Sequence, residues 1–580
     1  MTESVIDEIT EIVGNGAIYT DVIETFPYGM DGTLFTGNSV PEIVVQPRNS
    51  EQIAKILKIA SEHRIPVTPR GNGTSLSGNP VPVFGGILLD LSRMDVIVDI
   101  NIANNIVIVE PGVVCDKLNE CLDQYGYFFP PDPGSSSAAT IGGMVANNSG
   151  GLQAFKYGVT SNYVLWLEVV LPSGKIVHFG SKTLKSVSSI NLTGLMIGSE
   201  GTLGVITKIA LKIKPKPMAR KTGFYIFNRF ETITAIIIEI RKAGIIPNMQ
   251  EFLDKTTSDV CFNYLGGDYA DYPRGYFLLL ETDGIKEQVD HEFSLIHEIC
   301  LRYDPTFHKI ASSAADRANI IQARKVALPA LSGIAPTTLL EDCTINISNL
   351  GKALADIEKI AEDYAKYGLE IATFGHLEGN LHPTFMFNEH KEEQVEKFEE
   401  AVDRIYQEVV LPLGGTTTGE HGVGFLKTKF FKQEHSDSVE LMYKIKEIFD
   451  PQHILNPGKA KGGDCQGCCS PVDLPQKDLS STPPLSCMRC GFCVVECPAY
   501  KEFRHEAYSP RGKLAIMRGL LRGNIKMNRK VRDIMYACTL CGACQISCPA
   551  LIETVELFEE TRKLILAGSD KKIESDSDQP

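Results

Sequence analysis

The same four-cysteine run occurs twice near the end of the chain. Cys487-x-x-Cys490-x-x-Cys493-x-x-x-Cys497-Pro498 is followed by Cys538-x-x-Cys541-x-x-Cys544-x-x-x-Cys548-Pro549. Three thiolates spaced three residues apart let one tight loop wrap three corners of a cubane. The fourth, before a proline that ends the turn, reaches a neighbouring cubane. The spacing assigns Cys487, Cys490, Cys493 and Cys548 to one [4Fe–4S] cluster, and Cys538, Cys541, Cys544 and Cys497 to a second. Zinc ribbons and disulfide pairs also use cysteines, but neither requires this doubled order. Two cubanes carry single electrons, so a source of electrons must lie upstream.

A second dense group is Phe374-Gly375-His376-Leu377-Glu378-Gly379-Asn380-Leu381-His382-Pro383, followed later by Thr418-Gly419-Glu420-His421-Gly422. Two histidines and a glutamate form a divalent-metal set with a position left open for substrate. A neighbouring free imidazole can act as base near neutral pH. The residues also admit a plainer reading, with Glu420–His421 in a surface turn and the other two histidines hydrogen-bonded in the core.

Three segments pair glycines with small polar residues. The first comprises Pro69, Arg70, Gly71, Asn72, Gly73, Thr74, Ser75, Leu76, Ser77 and Gly78. The second runs from Asp132, Pro133, Gly134 and Ser135 to Thr140, Gly142, Gly143, Ala146 and Asn147. The third contains Gly198, Glu200, Gly201, Gly204, Val205 and Ile206. Glycine lets backbone N–H groups converge on a phosphate without a Cβ in the way. Gly71-x-Gly73-x-x-x-x-Gly78 is not the dinucleotide fingerprint, which needs G-x-G-x-x-G. Each segment alone is also compatible with a plain tight turn.

These residues must be positioned by several domains. At 580 residues, 43% hydrophobic and 22% charged, the chain can bury a large core, and three or four domains are expected. A net charge of −15 argues against a nucleic-acid surface. No apolar run reaches membrane-spanning length and no leader pattern opens the chain. Half of the 16 cysteines belong to the two runs; the scatter of the rest points to a reducing cytoplasm. Residues 1–217 read as α+β with Gly-rich turns: a helix over 50–62, then strands near 65–68, 86–91, 96–109, 163–172 and 203–213. A Lys/Pro boundary precedes a second α+β domain, 218–460, with helices over 231–243, 286–301, 350–367 and 391–410 and strands at 222–227, 275–281 and 369–374. A linker over 461–486 leads to the cysteine domain, 487–555, and residues 556–580 form a helix end and an acidic tail.

Taken together and in order, the phrases Pro69-Arg70-Gly71-x-Gly73-Thr74, Ile141-Gly142-Gly143-Met144-Val145-Ala146-Asn147-Asn148 and Gly198-Ser199-Glu200-Gly201-Thr202-Leu203-Gly204 resemble the FAD-binding half of the vanillyl-alcohol oxidase/p-cresol methylhydroxylase superfamily. They are close to those of glycolate oxidase flavin subunits and D-lactate dehydrogenases. The resemblance implies an α+β fold with a two-subdomain FAD-binding domain of the p-cresol methylhydroxylase (PCMH) type, an α+β substrate or cap domain and a C-terminal helical ferredoxin-like domain. It also implies that 69–78 cradles the FAD pyrophosphate and that 131–147 and 198–206 line the rest of the FAD; some members of the superfamily attach it through a histidine, and with no histidine suitably placed near these loops non-covalent FAD is expected. Asn456, in Asn456-Pro457-Gly458-Lys459, resembles the segment that returns to the flavin. By the same resemblance His376, His382 and Glu420 hold a divalent metal (zinc, manganese or iron), His421 is the catalytic base, and Arg324 meets the substrate carboxylate. The family segment is His-x-Gly-Asp-Gly-Asn-x-His; here it is one residue shorter, which alters the reach between the two histidines.

The resemblance implies oxidation of a D-2-hydroxyacid, D-lactate or glycolate, with electrons leaving through the clusters. A partner would receive them: a cysteine-rich reductase subunit, an electron-transfer flavoprotein or a quinone-linked protein, through which any membrane association would come. The shortened His–His segment favours a different class, an electron-transfer subunit of a larger complex that oxidises no hydroxyacid. A non-redox flavin transferase similar to alkylglycerone-phosphate synthase is a third reading, which the clusters argue against. Between the cysteine runs lie Lys501, Arg504, Arg511, Lys513, Arg518, Arg522, Lys526, Arg529, Lys530 and Arg532. This basic stretch reads as a solvated helix or as a docking face for an acidic electron-transfer partner. Cys465, Cys468 and Cys469 read as incidental or redox-active thiols.

Overall fold

The computed structural model describes residues 1–33, 39–462 and 487–569. The flavin half is built on two sheets. Ile18–Tyr19, Ile43–Val45, Ile87–Asp90 and Val67–Arg70 lie side by side in that order, the last three parallel. Parallel strands need a crossover, and the helix Ser50–His63 carries the chain from Ile43–Val45 to Val67–Arg70, on either side of Ile87–Asp90. Its Ile53, Ile56, Leu57 and Ala60 are fully buried, the stripe that the sequence pattern places on one face. Asn49 caps its first turn by accepting from the Gln52 N–H. The second sheet is antiparallel, in the order Ile97–Asn101, Ile106–Val109, Val205–Lys212, Val164–Val170, Ile176–Gly180.

The cap is an antiparallel sheet whose central strands are Met249–Leu253, Glu370–His376 and Asn380–Phe387, in that order. Side chains alternate across a sheet. One face carries Phe252, Leu381, Phe385 and Phe387 into a core closed by the helices Phe230–Lys242, Lys286–Leu301, Leu350–Ala365 and Glu392–Arg404. The opposite face carries Leu253, Phe374 and Met386, packed on the helices Lys255–Leu265 and Ala314–Lys325. By the same alternation Glu251, His376 and His382 fall on this second face. Register completes the placement: Glu251 pairs directly with His376, and Phe374 with His382.

The cysteine domain is a set of short helices, among them Phe492–Val495, Pro498–Phe503, Pro510–Leu521, Arg529–Tyr536, Ala543–Ile546 and Thr554–Ser569. The last of these runs across the boundary expected at 555. Its core takes in Ile23 and Phe26 from the start of the chain. The basic stretch between the cysteine runs does not form one continuous solvated face. Arg511, Lys513 and Arg518 are buried. Arg504 pairs with Asp95, Arg522 with Glu389 at 2.5 Å and Lys530 with Glu24 at 3.2 Å. Carboxylates of the flavin half and the cap meet these three cations, and Glu506 meets Arg511. Lys501, Lys526, Arg529 and Arg532 remain exposed.

The expected linker also begins later than 461. Ala460–Gly462 form a 3-10 turn, in which Lys461 donates to the Gly198 carbonyl at 2.7 Å and pairs with Glu200 at 2.8 Å. The rest of that segment, with Cys465, Cys468 and Cys469, lies outside the described residues, as does 570–580.

Candidate active site

One cavity of about 710 Å³ lies between the flavin half, the cap and the cysteine domain. That is within the usual range for cofactor-sized sites, about 300–1,000 Å³. Its walls include residues 69–75, 133–135, Thr140, Gly142, Gly143, Ala146, Asn147, Glu200, Gly201 and 204–206 from the glycine-rich segments. From the cap come Arg324, Phe374, His376, His382, Glu420 and His421, and from the cysteine domain Met488, Cys490, Phe492 and Pro549.

The lack of side chains at the glycines has a measurable reason. A Cβ on Gly71 would stand 2.2 Å from the Thr140 hydroxyl, and on Gly142 2.5 Å from Pro111 Cβ. Two expected flavin residues stand behind the wall instead. Ser77 donates to the His421 carbonyl at 2.6 Å, and the Gly78 N–H to Asp31 at 2.9 Å. Asn456 also lies off the wall, donating to the carbonyls of Asn79 and Glu200 at 3.0 and 2.7 Å. Glu200 itself clamps the two halves together: its carboxylate accepts from the N–H groups of Val423 and Gly424, both at 2.9 Å. Asn147 does the same from the other direction, donating to the Glu420 carbonyl at 2.6 Å.

On the cap wall, one ligand atom each from His376, His382 and Glu420 falls within 4.8 Å of the others. His376 Nε2 is 3.4 Å from Glu420 Oε1. The shortened segment does not separate the rings. Residues 377–379 form a three-residue turn between paired strands, and an even spacing keeps both histidines on one face. Gly379 permits the turn with φ +124°, where a Cβ would lie 1.9 Å from the Ile345 carbonyl oxygen.

Glu251, which no sequence motif marks, holds this group together. Its Oε1 is 2.6 Å from His376 Nδ1 and its Oε2 accepts from Arg324 Nε at 2.8 Å. Arg324 in turn lies over the Phe374 ring, 4.7 Å from its centroid. Burial opposes the His376 charge, but Glu251 and Glu420 overcome it and raise its pKa well above the imidazole range. The reciprocal effect lowers Glu420 to about 2 against its own burial, His376 being the main cause. His382 goes the other way: burial, then His421 and His376, hold its pKa well below the usual value. A carboxylate on one imidazole nitrogen with a metal set on the other is the arrangement that fixes a ligand's tautomer and orientation. His421 stacks on His382 with centroids 5.1 Å apart and 16° between planes. It lines the cavity beside His376, His382 and Glu420.

In the cysteine domain, Cys497, Cys538, Cys541 and Cys544 line one small cavity, so the structure brings the fourth cysteine of the first run to the second run. Cys490, from the other set, is pushed up to about 11 by burial, with further upward contributions from Cys487 and Cys548. Cys493 is raised by burial and by Cys487 and Cys490. Arg511 joins this loop to the flavin loop, donating to the Arg489 carbonyl at 3.0 Å and the Asn72 carbonyl at 2.9 Å. Its charge is met by Glu506 at 2.7 Å.

Compared with known families, residues 41–180 match the FAD binding domain, residues 216–460 the C-terminal domain of FAD linked oxidases, and residues 484–552 the 4Fe-4S dicluster domain. The chain is 39% identical over 433 residues to the glycolate oxidase subunit GlcD of Bacillus subtilis, covering 74% of this chain and 90% of that one. It is 32% identical to a D-lactate dehydrogenase of Anaerostipes hadrus, covering 79% and 97%. The chain belongs to the FAD-linked oxidases. Within that family it carries a 4Fe–4S dicluster domain after the cap. Among solved structures, p-cresol methylhydroxylase with substrate bound aligns at TM-score 0.66 and 16% identity over 80% of this chain and 98% of that one. Alkyldihydroxyacetonephosphate synthase aligns at 0.63 and 19% over 79% and 85%. These likenesses show the fold, a flavin-binding domain of the p-cresol methylhydroxylase type with an α+β cap. No helix among the described residues is long and apolar enough to cross a membrane.

Proposed function

We propose that the protein oxidises a D-2-hydroxyacid, D-lactate or glycolate, to the 2-oxoacid on FAD, and delivers the electrons singly through two [4Fe–4S] clusters to a partner acceptor. The observation that carries this reading is the meeting of His376, His382, Glu420, His421 and Arg324 on the wall of the cavity that the glycine-rich flavin segments line. The relatives named for glycolate and D-lactate support the substrate class.

The residues fit the three groups the reading needs. Segments 69–75, 133–143 and 200–206 would hold FAD, in a cavity where Gly71 and Gly142 admit no side chain. His376, His382 and Glu420 would hold a divalent cation, with Glu251 fixing His376. Cys487, Cys490, Cys493 and Cys548 would hold the cluster nearer the cavity, and Cys497, Cys538, Cys541 and Cys544 the outer one. When bound, FAD accepts the electron pair with the α-hydrogen, the cation polarises the α-hydroxyl, and the cubanes separate the pair into single electrons.

The chain's own side chains do the rest. Arg324, held by Glu251, binds the substrate carboxylate and aligns the α-carbon. His421 takes the α-hydroxyl proton at a ring nitrogen facing the cavity. Phe374 and Leu340 keep the reacting end apolar and dry. The test is a panel of D- and L-lactate, glycolate and D-2-hydroxyglutarate, mixed anaerobically with enzyme before and after chelation. D-lactate or glycolate bleaches the flavin of the untreated enzyme, and chelation abolishes it. Bleaching that is indifferent to chelation removes the metal from the reading.

A further inference from the structure

The two cysteine runs fold into the same loop and differ in what that loop carries. Arg489 and Leu540 hold the same place, two residues after the first cysteine of each run, and both are left-handed, with φ +60° and +53°. The glycines that follow, Gly491 and Gly542, match in the same way, at +88° and +77°. The turn therefore does not require an arginine. Leu540 packs against the apolar core of the cysteine domain, whereas Arg489 buries a guanidinium at 5% exposure.

That charge has no carboxylate of its own. Among the described residues Arg489 forms no ion pair, and its Nε is buried without a hydrogen-bond partner. Burial lowers its pKa, while Glu389, Cys487 and Asp31 oppose this from beyond ion-pair range. Glu389 is already engaged by Arg522 at 2.5 Å. The Asp31 carboxylate accepts from the N–H groups of Thr33 and Gly78 at 2.8 and 2.9 Å. Glu506 is engaged by Arg511. Arg518 adds to the positive charge, its Nη2 donating to the Cys487 carbonyl at 3.4 Å. A guanidinium does not escape burial by losing its proton, and a buried charge is costly unless something of opposite sign meets it. Four thiolates around a cubane supply that sign, and net charge near a cluster is one of the settings of its reduction potential.

We propose that Arg489 is the fixed counter-charge of the inner cluster, the one assigned to Cys487, Cys490, Cys493 and Cys548, and raises its reduction potential without moving that of the outer cluster. A buried cation stabilises an added electron because little solvent screens the pair. The outer set has a separate cavity, with Lys513 on its wall and Leu540 where the inner loop carries Arg489. The inner set meets the flavin cavity through Cys490, so the arginine favours the cluster that takes each electron as it leaves the flavin. The inference rests on the cluster assignment above and is independent of the substrate.

The variant is Arg489→Leu, which gives the first loop the residue that the second loop already holds in the same turn. Both midpoints are read by EPR-monitored redox titration of the holoenzyme, the inner signal being the one lost in Cys487→Ala. In Arg489→Leu the inner midpoint is expected to fall, with the reduced-to-oxidised ratio at a fixed potential down about tenfold, or about 59 mV for a one-electron couple. The outer midpoint is expected to stay in place. Arg489→Lys is expected to restore most of the fall. Glu389→Gln, on the cap, removes a negative charge and is expected to move the same midpoint upward. An inner midpoint unmoved in Arg489→Leu, or two midpoints moved alike, overturns the proposal. Where Arg489→Leu does not fold or bind iron, Glu389→Gln decides, and an unmoved inner midpoint there overturns it as well. Native enzyme without two cubanes by iron analysis and EPR overturns the cluster assignment and this inference with it; two cubanes with an insensitive inner midpoint overturn the inference alone.

Discussion

His421 is the residue on which the chemistry turns, since it lines the cavity beside the candidate metal set while its Nδ1 is buried. His421→Ala is expected to slow flavin bleaching by hydroxyacid about a thousandfold without loss of FAD, within the usual worth of a general base; stopped-flow absorbance measures it. Bleaching at the native rate contradicts the assignment. Glu251→Gln leaves the sheet intact but removes the charge that holds His376 Nδ1. Metal affinity is expected to drop about 10–100-fold, read by titrating chelated enzyme with zinc. The histidines were legible because they stand in dense local motifs. Glu251 was not: its two partners lie 73 and 125 residues away, and a lone acid in Met249-Gln-Glu-Phe-Leu253 carries no spacing signal.

Strand alternation is what makes a site of these residues. Met249–Leu253, Glu370–His376 and Asn380–Phe387 each send alternate side chains to the cavity face, and register lines up Glu251, His376 and His382. Two of the three strands escape the sequence reading. Every residue of Met249–Leu253 and of Asn380–Phe387 is buried, so neither shows the polar–apolar alternation that marks a half-exposed strand. The helices at 286–301 and 350–367, each with a solvent face, were readable nearly to their ends. The helical run expected over 391–410 is regular over Glu392–Arg404 and then widens into a π turn, Ile405–Val410, which periodicity does not reveal. At the flavin wall, Gly71→Ala is expected to lose most of its FAD on gel filtration, because the added Cβ would press on the Thr140 hydroxyl that caps the helix Ile141–Asn147. Retention of native flavin-to-protein absorbance would contradict the role given to that loop.

In the whole molecule, flavin segments, cap and inner cysteine set meet at one cavity, and the outer cysteine set lines a separate, smaller one. The inner set touches the flavin cavity through Cys490, whereas Cys541 of the outer set is exposed. The doubled cysteine run made the clusters legible. The basic stretch between the runs is only partly legible, because nothing local shows that Arg511, Lys513 and Arg518 are buried or that Arg504, Arg522 and Lys530 pair with Asp95, Glu389 and Glu24. Arg511 bridges flavin loop and cysteine loop, and removing it alone would leave Glu506 buried and uncompensated, at a cost of about 3–5 kcal/mol. The double variant Arg511→Met with Glu506→Gln is therefore the better probe. It is expected to keep flavin bleaching and to slow cluster reduction, seen by freeze-quench EPR. Cys497→Ala is expected to give the same EPR loss as Cys538→Ala, through crossed ligation; a loss matching Cys487→Ala would show that each run keeps its own cluster.

The most direct measurement of the central claim follows both redox stages in one anaerobic experiment. The as-isolated enzyme is mixed with D-lactate or glycolate, and flavin absorbance and cluster EPR are recorded together. The expected result is bleaching of the flavin, then reduced-cluster signals, with appearance of the 2-oxoacid in proportion to the electrons stored. Flavin and clusters that stay oxidised with every hydroxyacid, yet reduce with dithionite, would contradict it.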